Sequence, residues 1–173
     1  MKNFVCIITG PCAAGKSTVG KLLAKDAKFE HAIFIEADSI RRMVWSGYVP
    51  PFPETPDSRK QLVLAAQATS GVAKLYYEAG FSVFIEEVLE PFLTPVYLEE
   101  LSECNMKVVC LLLDQKELFK RDASRSKNEQ IGKHCFELLK SFRTWAQSEP
   151  WFVIDSTNQT PKETTQAIVD FFE

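Results

Sequence analysis

Several things are scarce or missing in this chain of 173 residues, and each removes a class of protein. There is no excess of basic residues. Twenty Lys and Arg stand against 23 Asp and Glu, for a formal net charge of −3 and a pI near 5.5. A dedicated DNA or RNA surface is usually basic, so none is expected. There is no C-x-x-C pair, and the five cysteines, Cys6, Cys12, Cys104, Cys110 and Cys135, are odd in number. That argues against a disulfide framework or a thiolate metal site and favours a reducing compartment. No apolar run reaches the roughly 18 residues that would span a bilayer. No internal repeat, low-complexity tract or flexible linker stands out. The only histidines, His31 and His134, have no partner pattern and read as surface or helix-end residues.

What is present is ordinary for a folded protein: 46% hydrophobic and 25% charged residues. The length suits one domain over residues 1–173 with a sizeable core. The N-terminal "MKNFVCIITGPCAAG" superficially resembles a signal peptide. Cleavage would destroy the most informative motif in the chain, so we expect a cytoplasmic protein.

Apolar runs alternate with helical patterns. Phe4–Ile8, Ala32–Ile35, Ser82–Glu86, Lys107–Leu113 and Trp151–Asp155 read as buried strands. Between them, Lys16–Lys28, Ser39–Trp45, Arg59–Ala79, a segment from Thr94 to about Ser102, Lys116–Arg125 and His134–Ala146 read as helices. Gly80 is the expected stop of the long helix. Thr94-Pro95 reads as a cap with proline at the first helical position, and Thr160-Pro161-Lys162-Glu163 as a capping box. "SGYVPPFPETPD" carries four prolines and reads as a loop. This alternation predicts an α/β fold: βαβ units, a five-stranded parallel sheet and helices on both faces, a three-layer αβα sandwich.

The most informative stretch is "IITGPCAAGKSTVGKLL". Within it "GPCAAGKS" fits G-x-x-x-x-G-K-[ST], placed between a strand and an amphipathic helix as the motif requires. Gly10 and Gly15 let the backbone turn tightly and approach a phosphate. The amides of Ala13, Ala14, Gly15, Lys16, Ser17 and Thr18 can then form a nest for anionic oxygens. The helix adds its positive end. Lys16 can reach β- and γ-phosphates, and the Ser17 hydroxyl can ligate Mg²⁺. Cys12 lies inside the loop. It could be oxidised there, or it is a small residue that fits.

On the strength of this loop, with "IEADSIRRM" and "RDASR" as weaker support, the chain resembles the small P-loop kinases. That group includes shikimate kinase, gluconate kinase and chloramphenicol phosphotransferase, and the chain most resembles bacterial gluconate-kinase-like proteins. The resemblance runs through nearly its whole length. It implies the nucleotide-kinase type of P-loop NTPase fold, with a mobile lid over about 122–135 and acceptor binding over about 38–60. It implies ATP and Mg²⁺, a hydroxyl-bearing small-molecule acceptor such as a sugar acid or antibiotic, no nucleic acid or membrane partner, and a monomer or homodimer.

In open parallel sheets ligands bind at the carboxyl ends of strands. After the second strand, Glu36 and Asp38 share one side if the segment is extended. The resemblance makes Asp38 the base that takes the acceptor's proton and Glu36 a water-mediated Mg²⁺ ligand. Asp38 also suits a helix cap. After the third strand, Glu86 and Glu87 occupy the place of the usual acidic metal partner. One is expected to face the metal and the other solvent, and alternation alone does not choose between them. Arg121 and Arg125 would share a face of a helix. The resemblance places Arg121 along the adenine or its phosphates and Arg125 on the γ-phosphate, and a solvated helix explains the same letters. Ser126–Lys133 is polar and suits a closing segment. After the fifth strand, Asp155, Thr157 and Asn158 are candidates for the adenine loop. The guanine-specific N-K-x-D is missing, which argues against a GTPase. Arg41 and Arg42 are candidates for an acceptor carboxylate, which a planar fork can bind at two points. Trp45 is expected to pack, with Tyr48 and Phe52 nearby. A polynucleotide 5′-hydroxyl kinase and a non-enzymatic ATP-binding regulator are the rival readings.

Overall fold

The computed structural model describes residues 2–127 and 130–172. Five parallel strands form one sheet: β1 (Val5–Thr9), β2 (Ala32–Glu36), β3 (Ser82–Glu86), β4 (Met106–Leu112) and β5 (Phe152–Asp155), in the spatial order β2-β3-β1-β4-β5. The helices are α1 (Lys16–Leu23), α2 (Ala37–Arg41), α3 (Pro56–Glu78), α4 (Thr94–Glu100), α5 (Gln115–Ala123), α6 (Lys133–Ser148) and α7 (Pro161–Phe172). The central strand β1 is buried along its whole length, which is why its residues read as an unbroken apolar run.

Successive side chains of a strand point to opposite faces. Cys6 and Ile8 of β1, with Phe84 of β3 and Val109 and Leu111 of β4, pack with α1 and α7. Val5 and Ile7, with Val83, Ile85 and Cys110, pack on the opposite face with α3 and α4. Helix α6 serves both cores, through Cys135 and Leu139 on one side and Leu138 and Phe142 on the other. Phe4 anchors the first core, edge-on to Phe29 and Phe84 and stacked on Phe172. Burying such a ring is worth about 1.5–3 kcal/mol.

Element ends differ from the sequence reading in physically informative ways. Helix α3 starts at Pro56, inside the segment expected to be loop. Thr55 and Ser58 exchange bonds: the Ser58 N–H donates to Thr55 Oγ1 at 3.1 Å, and the Thr55 N–H to Ser58 Oγ at 2.8 Å. Pro56 therefore occupies a helix start, where its missing donor costs nothing. Gly80 ends the helix with φ of 90°, its N–H bonded to Tyr77 O. Thr94 is not the cap of α4. Leu93 holds that position with a helical backbone and no side-chain cap bond, and Thr94 is the first helical residue. The capping box at Thr160 forms as read, with Thr160 N–H donating to Glu163 Oε2 at 2.7 Å. Helix α1 ends at Leu23, five residues short of Lys28, in successive turn bonds from Lys25 and Asp26.

Candidate active site

The loop after β1 crosses the carboxyl edge of the sheet and feeds α1. Gly10 has φ of 137°, and a Cβ there would sit 2.3 Å from Leu111 O, so only glycine fits between β1 and β4. Gly15 has φ of 94° at the helix cap, and Ala13 is also left-handed, with φ of 62°. Alternating hand along successive residues is how a backbone turns its amides to one side. Lys16 is buried and donates to Gly10 O at 3.1 Å and Pro11 O at 3.0 Å.

The two glutamates after β3 part company because each sheet face is covered. Ser17 Oγ donates to Glu86 Oε1 at 2.9 Å, on the α1 face. Glu87 points to the other face, where it accepts from Tyr97 Oη of α4 at 2.8 Å. The expectation that one of the pair would face solvent is corrected: Glu87 is 7% exposed. Burial pushes its carboxyl up to about 7. The Asp38 charge adds to this, and the Tyr97 hydroxyl, the Val88 amide and Lys16 oppose it. Glu36 lies opposite Glu86 in the β2–β3 register. It is paired with Lys21 at 2.8 Å and accepts from Ser39, and the Lys21 bond holds its carboxyl below the usual range.

Asp38 lies inside α2 rather than in an extended segment or at its cap, a position held by Glu36. The two carboxylates are therefore set by a strand end and a helix rather than by strand alternation. Asp38 Oδ1 accepts from Arg41 Nη2 at 2.8 Å and Nε at 3.2 Å, and its Oδ2 from Arg42 Nη2 at 3.2 Å. Arg41 is buried, with Nη1 donating to Tyr48 Oη at 2.9 Å. The expectation that Trp45 packs is corrected: it is 97% exposed. Phe52 stacks on His134 at the start of α6, 3.7 Å between ring centres, which joins the proline-rich segment to the region after α5.

Helix α5 ends at Ala123, so Arg121 and Arg125 do not share a helical face as expected. Arg125 follows in a turn, its N–H bonded to Asp122 O. Arg121 bridges three places: Glu117 Oε1 at 3.0 Å, Ala14 O at 3.4 Å and Ser156 O at 2.9 Å. It thus ties α5 to the phosphate-type loop and to the loop after β5. Asp122 is buried and accepts from the Ile131 and Gly132 amides. Burial opposes its ionisation, and those amides outweigh it and keep the carboxyl low. Asn128 and Glu129, in the middle of the expected closing segment, lie outside the described residues.

A cleft of about 880 Å³ gathers Ala13, Ala14, Gly15, Lys16, Ser17, Thr18, Asp38, Arg42, Glu86, Arg121 and Arg125. A second cavity of about 290 Å³ shares Lys16, Ser17, Asp38, Arg42, Glu86 and Arg125 and adds Glu36 and Glu87. Of the expected residues, Gly10 and Arg41 line neither, since one is packed under β4 and the other turned inward to Tyr48. After β5 it is Ser156 and Gln159 that line the large cleft, rather than Asp155, Thr157 or Asn158. Asp155 spends its carboxylate on Thr157 instead. Glu117 and Gln130 also line the cleft and were missed. Glu117 was legible as the residue four before Arg121 on one helix. Gln130, which donates to the Ala123 and Arg125 carbonyls, had no local signal.

A β1–loop–α1 unit with its lysine and hydroxyl in one cleft, on a parallel sheet of order β2-β3-β1-β4-β5, defines a P-loop domain of the small-kinase type. The chain belongs to the AAA-domain family, whose model matches residues 6–161. No curated protein matches it. Among solved structures, a sugar kinase from Janibacter sp. HTCC2649 superposes with a TM-score of 0.71 at 17% identity, over 98% of this chain and 94% of that one. Thymidylate kinase from Candida albicans gives 0.69 at 13% identity, over 99% and 91%. Shikimate kinase from Acinetobacter baumannii, in complex with shikimate, gives 0.65 at 17% identity, over 98% and 93%. These likenesses concern the fold. Among the described residues no helix is long and apolar enough to cross a membrane.

Proposed function

We propose that this protein is an ATP-dependent kinase that transfers the γ-phosphoryl group of ATP to a hydroxyl of a small molecule, a sugar acid or antibiotic being examples of the class. The observation that carries this reading is that Lys16, Ser17, Asp38 and Arg125 all line both the large cleft and the second cavity that shares its lining. Phosphoryl transfer asks a protein mainly for position and for positive charge around a loose transition state. The loop amides and Lys16 hold the phosphates. Arg121, already bridging the loop and Ser156, positions the nucleotide. Asp38 accepts the acceptor's proton, held in orientation by Arg41 and Arg42. Arg42 is the arginine left facing the cleft for an acceptor carboxylate, since Arg41 is turned away from it.

The donors present suit magnesium, a hard cation that takes oxygen ligands and commonly rests on one or two carboxylates plus phosphates. Ser17 Oγ and Glu86 Oε1 converge at 2.9 Å, with Glu36 beside Glu86 in register. Ser17 would hold Mg²⁺ directly and Glu36 and Glu86 through water. When bound, the ion neutralises charge on the β- and γ-phosphates.

A thermal-shift screen with ATP·Mg²⁺ and a panel of hydroxyl acceptors, followed by measurement of ADP release, tests the reading. Saturation at about a hundred times Kd adds about 2.7 kcal/mol of stability. For a chain of this size that raises Tm by roughly 5–10 °C. No shift with ATP and no ADP release with any acceptor would overturn it.

The two arginines should differ in kinetics. Arg125 reaches charge that grows during transfer, so Arg125→Ala should lower kcat and kcat/KM together, by about 10–100-fold for one lost charged hydrogen bond. Arg125→Lys should recover only part of this, since an ammonium cannot span two oxygens. Arg121→Ala should mainly raise the KM for ATP. Wild-type steady-state kinetics in Arg125→Ala would reduce that residue to a solvated charge.

A further inference from the structure

Helix α5 ends at Ala123, so Arg125 lies beyond its ladder, and the Arg125 N–H closes a turn onto Asp122 O at 3.1 Å. Arg125 nevertheless lines both cavities. A long guanidinium side chain samples many rotamers. A charge that must meet a developing phosphoryl group serves best when it is already in place. Some other part of the structure therefore has to hold Arg125 where it is.

Asp122, in the last turn of α5, is 4% exposed. Its Oδ2 accepts from the Gly132 N–H at 2.8 Å, and its Oδ1 from the Ile131 N–H at 3.1 Å and the Cys135 thiol at 3.5 Å. Gly132 is the cap of α6 and Cys135 lies in its first turn, so one carboxylate joins the end of α5 to the start of α6. The same Oδ1 lies 3.8 Å from Arg125 Nη1. Gln130 Nε2 adds bonds to Arg125 O at 3.0 Å and Ala123 O at 3.1 Å. We propose that Asp122 is a positioning residue for phosphoryl transfer, whose carboxylate aims the Arg125 guanidinium into the cleft.

A neutral oxygen could satisfy two amides and a thiol. Burying a full negative charge costs stability unless positive partners offset it. Burial works against the ionised form of Asp122, and the Gly132 and Ile131 amides, the Cys135 thiol and Arg125 favour it, so its carboxyl stays below the usual range. Of these partners only Arg125 is itself charged. At 3.8 Å the pair is too long for a hydrogen bond. The guanidinium is steered but keeps its donors for phosphoryl oxygens. Arg121 is held by other means, on Glu117, Ala14 O and Ser156 O. Loss of the Asp122 charge therefore separates the two arginines: the aim of Arg125 suffers, and nucleotide binding through Arg121 does not.

The inference rests on the kinase reading, and its test needs no acceptor. Calorimetry on the full chain measures the affinity for a β,γ-imido analogue of ATP with Mg²⁺, which carries the ground-state charge. It also measures the affinity for ADP·Mg²⁺ with aluminium fluoride, which imitates the transferring phosphoryl group. Asp122→Asn keeps the shape and removes the charge. It is expected to leave the analogue's affinity unchanged and to weaken the fluoride complex by about 2–30-fold, the range for a residue that acts through another. In an Arg125→Ala background the same substitution should change nothing further, because residues acting through one contact are not additive. A merely structural Asp122 would weaken both ligands, with or without Arg125. Should Asp122→Asn fail to fold, Asp122→Glu takes its place. It moves the charge by one methylene and should weaken the fluoride complex only while Arg125 is present. Unchanged fluoride affinity, a loss that persists in the Arg125→Ala background, or no tightening of ADP binding by aluminium fluoride in the unmutated chain would overturn the inference and leave the kinase reading standing. No binding of the analogue by the unmutated chain would overturn the kinase reading, and this inference with it.

Discussion

Asp38→Asn is expected to keep ATP binding and to lose about 10²–10⁴-fold in kcat, the usual contribution of a positioned base. The structure sharpens this expectation. Asp38 lines both cavities beside Lys16 and Ser17, so its carboxylate is where an acceptor hydroxyl would meet the phosphate end of the cleft. It is also clamped by two guanidinium groups, Arg41 on one oxygen and Arg42 on the other. Asparagine keeps the shape and one acceptor oxygen but removes the charge, so Arg41, buried with the neutral Tyr48 hydroxyl as its second partner, becomes under-compensated. Losing the charged partner of a hydrogen bond costs about 1–3 kcal/mol. A thermal melt run beside the kinetics separates this fold effect from the chemical one. The loose transition state of phosphoryl transfer sets the lower end of the range, because little proton transfer has to precede it. Titration calorimetry showing lost ATP affinity with unchanged kcat would move Asp38 from proton transfer to the metal or the fold.

Lys16→Ala should nearly abolish transfer and weaken ATP binding while leaving the fold in place. Its ammonium is buried, 3.1 and 3.0 Å from the carbonyls of Gly10 and Pro11, and the residue lines the cleft. Bound phosphates offer stronger partners than neutral carbonyls, since they bring opposite charge to the ammonium. Removing one fixed donor aimed at developing charge costs about 10²–10³-fold in rate. The loop itself is held by other means: Gly10 wedged under Leu111 O, and Arg121 on Ala14 O. Circular dichroism should therefore match the unmutated protein, while calorimetry shows weaker ATP binding. Undiminished ATP affinity and turnover would remove this loop from the function altogether.

The parts legible in the sequence were those in which local chemistry leaves one choice. A loop with Gly10, Gly15, Lys16 and Ser17 between a buried strand and an amphipathic helix has few other uses, and the structure builds it as read. The strands were legible because a parallel sheet covered on both faces needs continuous apolar runs. The same double covering hid the sorting of Glu86 and Glu87. With no solvent face there is no apolar–polar alternation to read, and only the packing of Phe84 with α1 and Ile85 with α3 and α4 shows which glutamate turns to Ser17. The start of α3 was missed because prolines dominated the reading, although Thr55 and Ser58 carried a cap.

The arginines mark the boundary between what sequence and tertiary structure decide. Four-residue spacing put Arg121 and Arg125 on one face, yet α5 ends between them, and both reach the cleft from different backbone geometries. Arg41 and Arg42 are neighbours of equal promise in the sequence. Tyr48, seven residues on, draws the first inward and leaves the second in the cleft. Trp45 stays in solvent, 97% exposed. By itself the sequence determined the phosphate-type loop, the alternation of strands and helices and hence the parallel sheet, because motif chemistry and hydrophobic period act over a few neighbouring residues. Only the tertiary structure decided which of two adjacent charges faces the cleft. Those outcomes depend on partners that packing brings in, such as Tyr97 of α4 for Glu87 and Ser17, 69 residues away, for Glu86.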